Sequence, residues 1–329
     1  MATSGALVEE SGVASAERLS VTVAELDFQN PIVLASGTAG YGLELADVMD
    51  LEHIGGLTTK AVSVEARAGN PAPRVAELDE GMINSVGLAN PGLEKVKATY
   101  VPWLASHLTR TRKLVNVVGN VVEDYARVIA ELDACADSVG ARAIDAFELN
   151  VSCPNVKAGG TEFGADAESL RSVVRMARAE TKRPLFVKLS PILPDIARSA
   201  KAAIDAGADG LTLVNTLPGL AIDVEHRRPM LGYGSGGVSG PGLLPVGVLA
   251  TWRVSRAVNA PIIGIGGVSS ANDALQYMMA GASLVGVGTA AMRDPRAPAR
   301  IIKDLDQWCA GHEIRSLSEI VGTLEWKTA

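Results

Sequence analysis

The sequence contains few cysteines and few aromatic residues. Its 329 residues include three cysteines, Cys135, Cys153 and Cys309, an odd number without paired spacing. This pattern argues against a disulfide framework or a zinc site and predicts a reducing, cytoplasmic location. Aromatic residues make up 4% of the chain and hydrophobic residues 47%. The core must therefore be mainly aliphatic, as in buried parallel strands.

Clustered positive charge and long apolar runs are also lacking. The formal net charge is −7, and no run of Lys or Arg compensates it. This balance argues against a nucleic-acid partner and favours a small molecule or a protein. No apolar run reaches the roughly 18 residues that a membrane span requires. Residues 1–18 lack the basic start and apolar core of a signal peptide, and we predict a loose leader there.

Short β-branched runs alternate with amphipathic stretches along the rest of the chain. The predicted strands are Ile32–Ala35, Leu57–Ala61, Leu114–Val118, Ala146–Val151, Leu185–Leu189, Gly210–Val214, Ile262–Ile265 and Leu284–Val287. The predicted helices between them include Val121–Ser138, Ala167–Glu180, Ile196–Ala206 and Asn272–Ala280, with Gly207 and Gly281 at helix ends. This order predicts an α/β fold, a (β/α)₈ TIM barrel forming one domain over residues 19–329.

Two connections are longer than the rest. Glu65–Lys97 follows the second predicted strand, and Thr216–Val246 follows the sixth. Long loops in compact domains are usually functional or disordered. Because both are rich in Asn, Gly and Pro, we expect ordered lids over an active site at the carboxyl-terminal face of the barrel.

The segment Asn150–Asn155 follows the fourth predicted strand and carries Cys153. Pro154 favours an extended conformation for the preceding cysteine, which places a thiol at the barrel mouth. The flanking amides Asn150 and Asn155 suit a planar substrate with carbonyl and N–H groups. A buried structural cysteine is the alternative, but its position favours catalysis. A single thiol without metal-binding neighbours predicts no metal site.

Glycine-rich strand ends occur at the last two predicted strands, in Gly264–Gly267 and Gly286–Thr289. In TIM barrels these two loops commonly hold a phosphate with backbone N–H groups. The alternative is simple turn chemistry. Two such pairs at consecutive strands favour a phosphate-bearing cofactor, although the spacing is not that of a dinucleotide fingerprint.

Polar side chains recur at other predicted strand ends. Lys60 ends the second strand and Lys188 lies within the fifth, where an anionic cofactor or a salt bridge to a carboxylate such as Glu148 would satisfy a buried ammonium. Asn84 and Asn215–Thr216 lie in or beside the long loops. Asparagine is usually a turn residue, but with Asn150 and Asn155 these amides form a set suited to a planar heterocycle.

Taken together, these motifs resemble the class 1 dihydroorotate dehydrogenases over Leu19–Ala310. The matching pieces are Ala35–Gly37, Thr59–Ala61, Gly69–Arg74, Ile83–Leu88, Asn150–Asn155, Val187–Leu189, Asn215–Thr216, Gly266–Gly267 and Gly288–Thr289. The resemblance implies a flavoprotein of pyrimidine biosynthesis that oxidises dihydroorotate to orotate. Cys153 would take a proton from C5 of the substrate while C6 delivers hydride to FMN.

The resemblance also implies roles for further residues. Substrate or flavin contacts would come from Lys60, Asn84, Ser85, Val86, Gly87, Leu88, Asn150, Asn155, Asn215 and Thr216. The FMN would be surrounded by Ala35, Ser36, Lys60, Ala61, Asn116, Asn150, Lys188, Val214, Gly240, Gly266, Gly267, Gly288 and Thr289. Lys60 is expected to act with Cys153 in catalysis, and Lys188 to place a positive charge near the flavin.

Within this family, the continuation Asn155–Gly164 is similar to the 1B subclass. The 1B enzymes work with a second subunit that carries FAD and a [2Fe-2S] cluster and passes electrons to NAD. The resemblance thus implies a heterotetramer of two catalytic and two electron-transfer subunits. The alternatives are a fumarate-linked 1A enzyme, a dihydropyrimidine dehydrogenase-like activity, or a non-catalytic barrel that serves as a scaffold.

Overall fold

The fold is that of a computed structural model, which describes residues 17–139, 143–152 and 162–326. In chain order the strands are β1 (Val21–Val23), β2 (Leu26–Phe28), β3 (Ile32–Leu34), β4 (Gly56–Thr58), β5 (Val75–Leu78), β6 (Gly81–Asn84), β7 (Arg112–Val117), β8 (Ala146–Asn150), β9 (Leu185–Leu189), β10 (Gly210–Leu213), β11 (Leu217–Gly219), β12 (Ile222–Asp223), β13 (Arg228–Pro229), β14 (Gly236–Ser239), β15 (Ile262–Ile265) and β16 (Leu284–Val287).

The helices cover the outside of the strands. They are α1 (Leu93–Lys95), α2 (Val101–His107), α3 (Val122–Val139), α4 (Ala167–Ala179), α5 (Ile196–Asp205), α6 (Leu244–Ser255), α7 (Ala271–Met279), α8 (Thr289–Arg293) and α9 (Ala297–Gly311). A π-helical turn, Val96–Tyr100, joins α1 to α2. All four helices predicted from the sequence are present, with ends within one residue of the predicted ones.

Eight strands form a closed parallel barrel in the order β3, β4, β7, β8, β9, β10, β15, β16. The barrel closes where β16 pairs with β3, with Val285 opposite Ile32. Each of the eight predicted strands overlaps one of these strands, so the predicted (β/α)₈ barrel is confirmed. Their continuous burial explains the apolar runs in the sequence, because parallel strands are covered on both faces.

The predicted end of the second barrel strand was wrong by three residues, and four other barrel strands end one residue earlier than predicted. The second barrel strand, β4, ends at Thr58 and not at Ala61, so Lys60 lies beyond it. The amide of Lys60 donates to the carbonyl of Gly40, 2.7 Å away, which turns the chain out of the β-ladder. Pairing with the neighbouring strand resumes in an isolated bridge between Val62 and Val117.

Side-chain caps fix where several helices begin. Asp166 accepts a hydrogen bond from the amide of Ser169 at the start of α4, and Ser270 forms a capping box with Asp273 at the start of α7. Such caps satisfy amides that have no partner within the helix. Gly207 and Gly281 follow the ends of α5 and α7 with positive φ, as the sequence predicts.

Apolar side chains fill the amino-terminal end of the barrel. Residues of six barrel strands form a buried cluster there with two residues of the β1–β2 hairpin, Val23 and Phe28. The barrel members of this cluster are Val33, Leu114, Ala146, Phe186, Ile263 and Leu284. Phe28 is 1% exposed. The hairpin thus packs against this end of the barrel, which leaves the opposite end for a site.

The two long connections contain strands that pair with each other. β5 and β6 come from the first connection, and β11 and β14 from the second. They form one antiparallel sheet in the order β11, β14, β6, β5, with Ile83 opposite Val238. This lid sheet, as we call β5, β6, β11 and β14, agrees with the expected ordered lids. The sequence reading treated both connections as loops and did not predict their strands.

A lysine is buried within the barrel wall. Lys113 is 1% exposed, and its Nζ lies 3.2 Å from Oδ2 of Asp145 and 2.9 Å from the carbonyl oxygen of Leu108. Burial lowers the pKa of Lys113, and the charge of Asp145 opposes that shift. The pair therefore contributes to the fold mainly by keeping a buried charge compensated.

We predict that Asp145→Ala lowers the free energy of unfolding by about 3 kcal/mol, because it leaves the buried Lys113 ammonium without its carboxylate. Urea unfolding followed by circular dichroism measures this loss. The control is Asp205→Ala, which removes an exposed ion pair with Lys201 and should change stability by less than about 0.5 kcal/mol. Equal losses of stability in the two variants would contradict the role of Asp145 in compensating the buried charge of Lys113.

Candidate active site

A cavity of about 810 Å³ opens at the carboxyl-terminal end of the barrel strands, beside the lid sheet. Most of the residues predicted from the sequence line it. These are Ala35, Ser36, Lys60, Ala61, Asn84, Ser85, Val86, Gly87, Leu88, Asn116, Asn150, Lys188, Val214, Asn215, Thr216, Gly240, Gly267, Gly288 and Thr289. Cys153 and Asn155, predicted as base and substrate ligand, lie outside the described residues.

The predicted phosphate loop differs from expectation at Gly266. Gly266 does not line the cavity, and its carbonyl accepts a hydrogen bond from the hydroxyl of Tyr277 at 2.9 Å. The next two residues, Gly267 and Val268, do line it. Neither of their amides donates to an acceptor in the described part of the chain. Gly267 has φ +75°, and a Cβ there would come within 2.5 Å of the amide nitrogen of Leu244.

Two lysines bring positive charge to the cavity. Lys188, on β9, is 6% exposed, and Lys60 is half-buried in the loop after β4. Neither ammonium forms an ion pair within residues 17–139, 143–152 and 162–326. The alternative of a salt bridge to Glu148 is not found, because that carboxylate accepts from Asn116 and Thr212. An anionic ligand would compensate both charges.

Hydrogen bonds orient the amides at the substrate end of the cavity. Oδ1 of Asn150 accepts from Nδ2 of Asn215 at 3.4 Å and from the amide of Ser152 at 3.3 Å. The NH₂ group of Asn150 is then left to donate to a ligand. Asn84 donates its Nδ2 to the carbonyl oxygen of Gly237 at 3.2 Å, which leaves its Oδ1 as an acceptor.

Three buried polar atoms of cavity residues have no hydrogen-bond partner within the part of the chain that the structure describes. They are Oδ1 of Asn116, Oγ of Ser85 and Oγ of Ser152. Buried polar groups in native structures are nearly always paired. A polar ligand in the cavity is the simplest source of the missing partners.

The sequence reading missed a carboxyl group at the site. Glu162 lines the cavity next to Ser190. Burial raises the pKa of Glu162, and a hydrogen bond from the Ser190 hydroxyl opposes this shift. Glu162 belongs to the segment Asn155–Gly164 that carries the resemblance, so a signal was present, but its place in the cavity was not predictable from spacing.

An arginine-rich rim at the far side of the cavity was also missed. The cavity is lined there by Arg293, Asp294 and Arg300. Nη2 of Arg293 donates to the carbonyl oxygen of Leu78 in the lid sheet, 3.3 Å away. Arg296 and Arg300 hold the pKa of Asp294 well below its usual range. No pattern in the sequence marks these residues, because they follow the last barrel strand in ordinary helical segments.

Neither a metal centre nor a membrane span is present in the part of the chain that the structure describes. These residues include no group of three or more His, Cys, Asp or Glu side chains that could hold a metal ion. Likewise, none of their helices is both long and apolar enough to cross a bilayer.

The family model for dihydroorotate dehydrogenase matches residues 18–308, most of the chain. The chain belongs to the dihydroorotate dehydrogenase family. Its relatives include proteins named dihydroorotate dehydrogenase B (NAD(+)), catalytic subunit. One, from Geobacter sp. (strain M21), is 46% identical over 307 residues, which cover 93% of this chain and 98% of the relative. Another, from Desulforudis audaxviator (strain MP104C), is 45% identical over 305 residues, with 93% and 97% covered.

We predict that Lys188→Met stabilises the ligand-free chain by about 1 kcal/mol, because it removes a buried ammonium that has no described counter-ion. Urea unfolding of the flavin-free protein measures the gain. The matched control, Lys113→Met, removes a buried lysine that does have a carboxylate partner, and it should destabilise the chain. Loss of stability in the Lys188 variant would show that its charge is compensated.

Proposed function

We propose that this chain is the flavin-dependent catalytic subunit of an NAD-linked dihydroorotate dehydrogenase, which oxidises (S)-dihydroorotate to orotate in pyrimidine biosynthesis. The observation that carries the proposal is one cavity lined by two ammonium groups and two backbone N–H groups that have no partner among the described residues, together with several oriented amides. The name that its relatives carry, dihydroorotate dehydrogenase B (NAD(+)), catalytic subunit, supports the same activity.

The residues present fit an FMN molecule. The free amides of Gly267 and Val268 suit a phosphate, beside the predicted ligands Gly240, Gly288 and Thr289. Gly288 lies close to the β3 loop, since a Cβ on it would be 3.4 Å from that of Ala35. The other predicted flavin contacts that line the cavity are Ser36, Lys60, Ala61, Asn116, Asn150, Lys188 and Val214. When bound, FMN supplies the hydride acceptor.

Protein groups bind and orient the substrate. The ammonium of Lys60 neutralises the carboxylate of dihydroorotate, and Lys188 contributes positive charge near the flavin. Asn84 offers an acceptor to a ring N–H, and Asn150 offers a donor to a ring carbonyl. Asn155, Asn215, Thr216 and the loop Ser85–Leu88 complete the predicted contacts.

Cys153 acts as the base. The segment that contains it follows β8, whose last residue, Asn150, lines the cavity. The Cys153 thiolate removes the proton from C5 of dihydroorotate, and bound FMN would supply the acceptor for the hydride from C6. The substrate thus loses a proton to Cys153 and a hydride to the acceptor that FMN would supply, which converts it to orotate. A positioned base is typically worth about 100- to 10,000-fold in rate.

A partner subunit takes the electrons onward to NAD. With three cysteines in 329 residues, the chain cannot supply four cysteine ligands to a [2Fe-2S] cluster. We assign the cluster and FAD to the partner, in a heterotetramer of two catalytic and two electron-transfer subunits built on a homodimer of this chain.

Anaerobic absorbance spectroscopy of the purified chain tests the function directly. Dihydroorotate should bleach the bound flavin, and NAD should restore the colour only after the partner subunit is added. Reoxidation by fumarate alone would indicate the 1A type. Faster bleaching by dihydrouracil would overturn the substrate, and a colourless protein from FMN-replete preparation would favour a non-catalytic scaffold.

For the base, we predict that Cys153→Ala keeps its yellow FMN and loses at least about 100-fold in the rate of bleaching by dihydroorotate at neutral pH. Anaerobic stopped-flow absorbance measures that rate. Cys135→Ala is the matched control, because Cys135 lies on α3 and does not line the cavity. Normal bleaching in the Cys153 variant would rule out this residue as the base.

For the phosphate loop, we expect Gly267→Ala to weaken FMN binding by about tenfold or more, since the added Cβ must displace backbone at Leu244. Quenching of FMN fluorescence by flavin-free protein gives the dissociation constant. Gly242→Ala is the control, because a Cβ at Gly242 meets nothing within 4 Å. Unchanged affinity in the Gly267 variant would place the phosphate elsewhere.

A further inference from the structure

A carboxylate lies buried inside the barrel without lining the cavity. Glu148, on β8, is 2% exposed. Its two oxygens accept one hydrogen bond each, Oε1 from Nδ2 of Asn116 at 2.7 Å and Oε2 from Oγ1 of Thr212 at 2.8 Å. It forms no ion pair with any Lys or Arg of the described chain. Two uncharged side chains therefore supply the hydrogen bonds of this buried carboxyl group.

The hydrogen bond to Glu148 fixes which end of the Asn116 amide faces the cavity. A carboxylate offers only acceptors, so the NH₂ group of Asn116 must point towards it. The amide oxygen Oδ1 then points away, and it is buried with no partner among the described residues. Asn116 lines the cavity, whereas Glu148 does not. Oδ1 of Asn116 is thus positioned to accept a hydrogen bond from a ligand N–H in the cavity.

Asn116 is more deeply buried than the other cavity amides, and this position indicates that its ligand is the cofactor. Asn116 lies within barrel strand β7 and is fully buried, whereas Asn84 and Asn215 are half-buried at the mouth of the cavity, beside the lid sheet. The oxidised flavin ring has a single N–H, at N3, flanked by two carbonyl groups. An isolated acceptor is the complement of that N–H.

We propose that Glu148 is a positioning residue for flavin binding, which holds the Asn116 carbonyl oxygen towards the cavity so that it accepts from N3–H of the ring. This inference rests on the proposed function, because it requires that the cofactor be a flavin. Glu148 acts through Asn116 and touches neither substrate nor flavin.

The test compares FMN with N3-methyl-FMN, which lacks the N–H, in binding to flavin-free protein by fluorescence quenching. One hydrogen bond corresponds to about tenfold in affinity, so the unaltered chain should bind FMN about tenfold more tightly than the methyl analogue. Glu148→Leu frees the Asn116 amide to rotate. This substitution should weaken FMN binding by about tenfold. The affinities for FMN and N3-methyl-FMN should then differ by no more than about twofold.

Two further variants keep the outcome interpretable if Glu148→Leu folds poorly. Glu148→Gln can still accept from Asn116 and donate to Thr212, so it should retain most of the preference for FMN. Thr212→Val leaves the bond between Glu148 and Asn116 in place and should also retain it. Thermal unfolding and near-ultraviolet circular dichroism monitor the fold of all variants.

The outcomes separate this inference from the proposed function. Tight FMN binding with an unchanged preference in Glu148→Leu would overturn the positioning role and leave the function standing. Loss of the preference in Glu148→Gln as well would show that charge, not amide orientation, is responsible. Failure of the unaltered chain to bind FMN would overturn both.

Discussion

Closure of the parallel barrel is the constraint on which the site depends. The last strand, β16, pairs with β3, the first strand of the barrel, and this pairing sets Gly288 beside Ala35. All eight strands run in the same direction, so their carboxyl ends meet around one cavity. Groups far apart in the sequence, such as Lys60 and Gly267, therefore line the same cavity.

The barrel and much of the site could be predicted because their signals are local. A strand covered on both faces is an apolar run, and residues just past its end face the cavity. Lys188 within β9, Asn150 at the end of β8 and Gly288 just past β16 all line the cavity. The predicted end of β4 was wrong. The strand ends at Thr58, before Lys60, because the amide of Lys60 donates to the carbonyl of Gly40, twenty residues earlier.

What the sequence could not reveal depends on contacts between distant segments. The lid sheet pairs β6 with β14 across more than 150 residues, and the short strands involved carry no periodic pattern of their own. Arg293 reaches the site only because it lies against this sheet. The sequence allows Glu148 to pair with Lys188. The side-chain positions inside the barrel give it hydrogen bonds from Asn116 and Thr212 instead, and no sequence pattern predicts this.

Barrel closure also has a consequence for biosynthesis of the protein. The glycine-rich loops that line the cavity follow β15 and β16, and the barrel is incomplete until Leu284–Val287 has emerged from the ribosome. The amino-terminal strands are made long before the partner that joins their open edge. A ligand that needs both of these loops can therefore bind only after the last barrel strand has been synthesised.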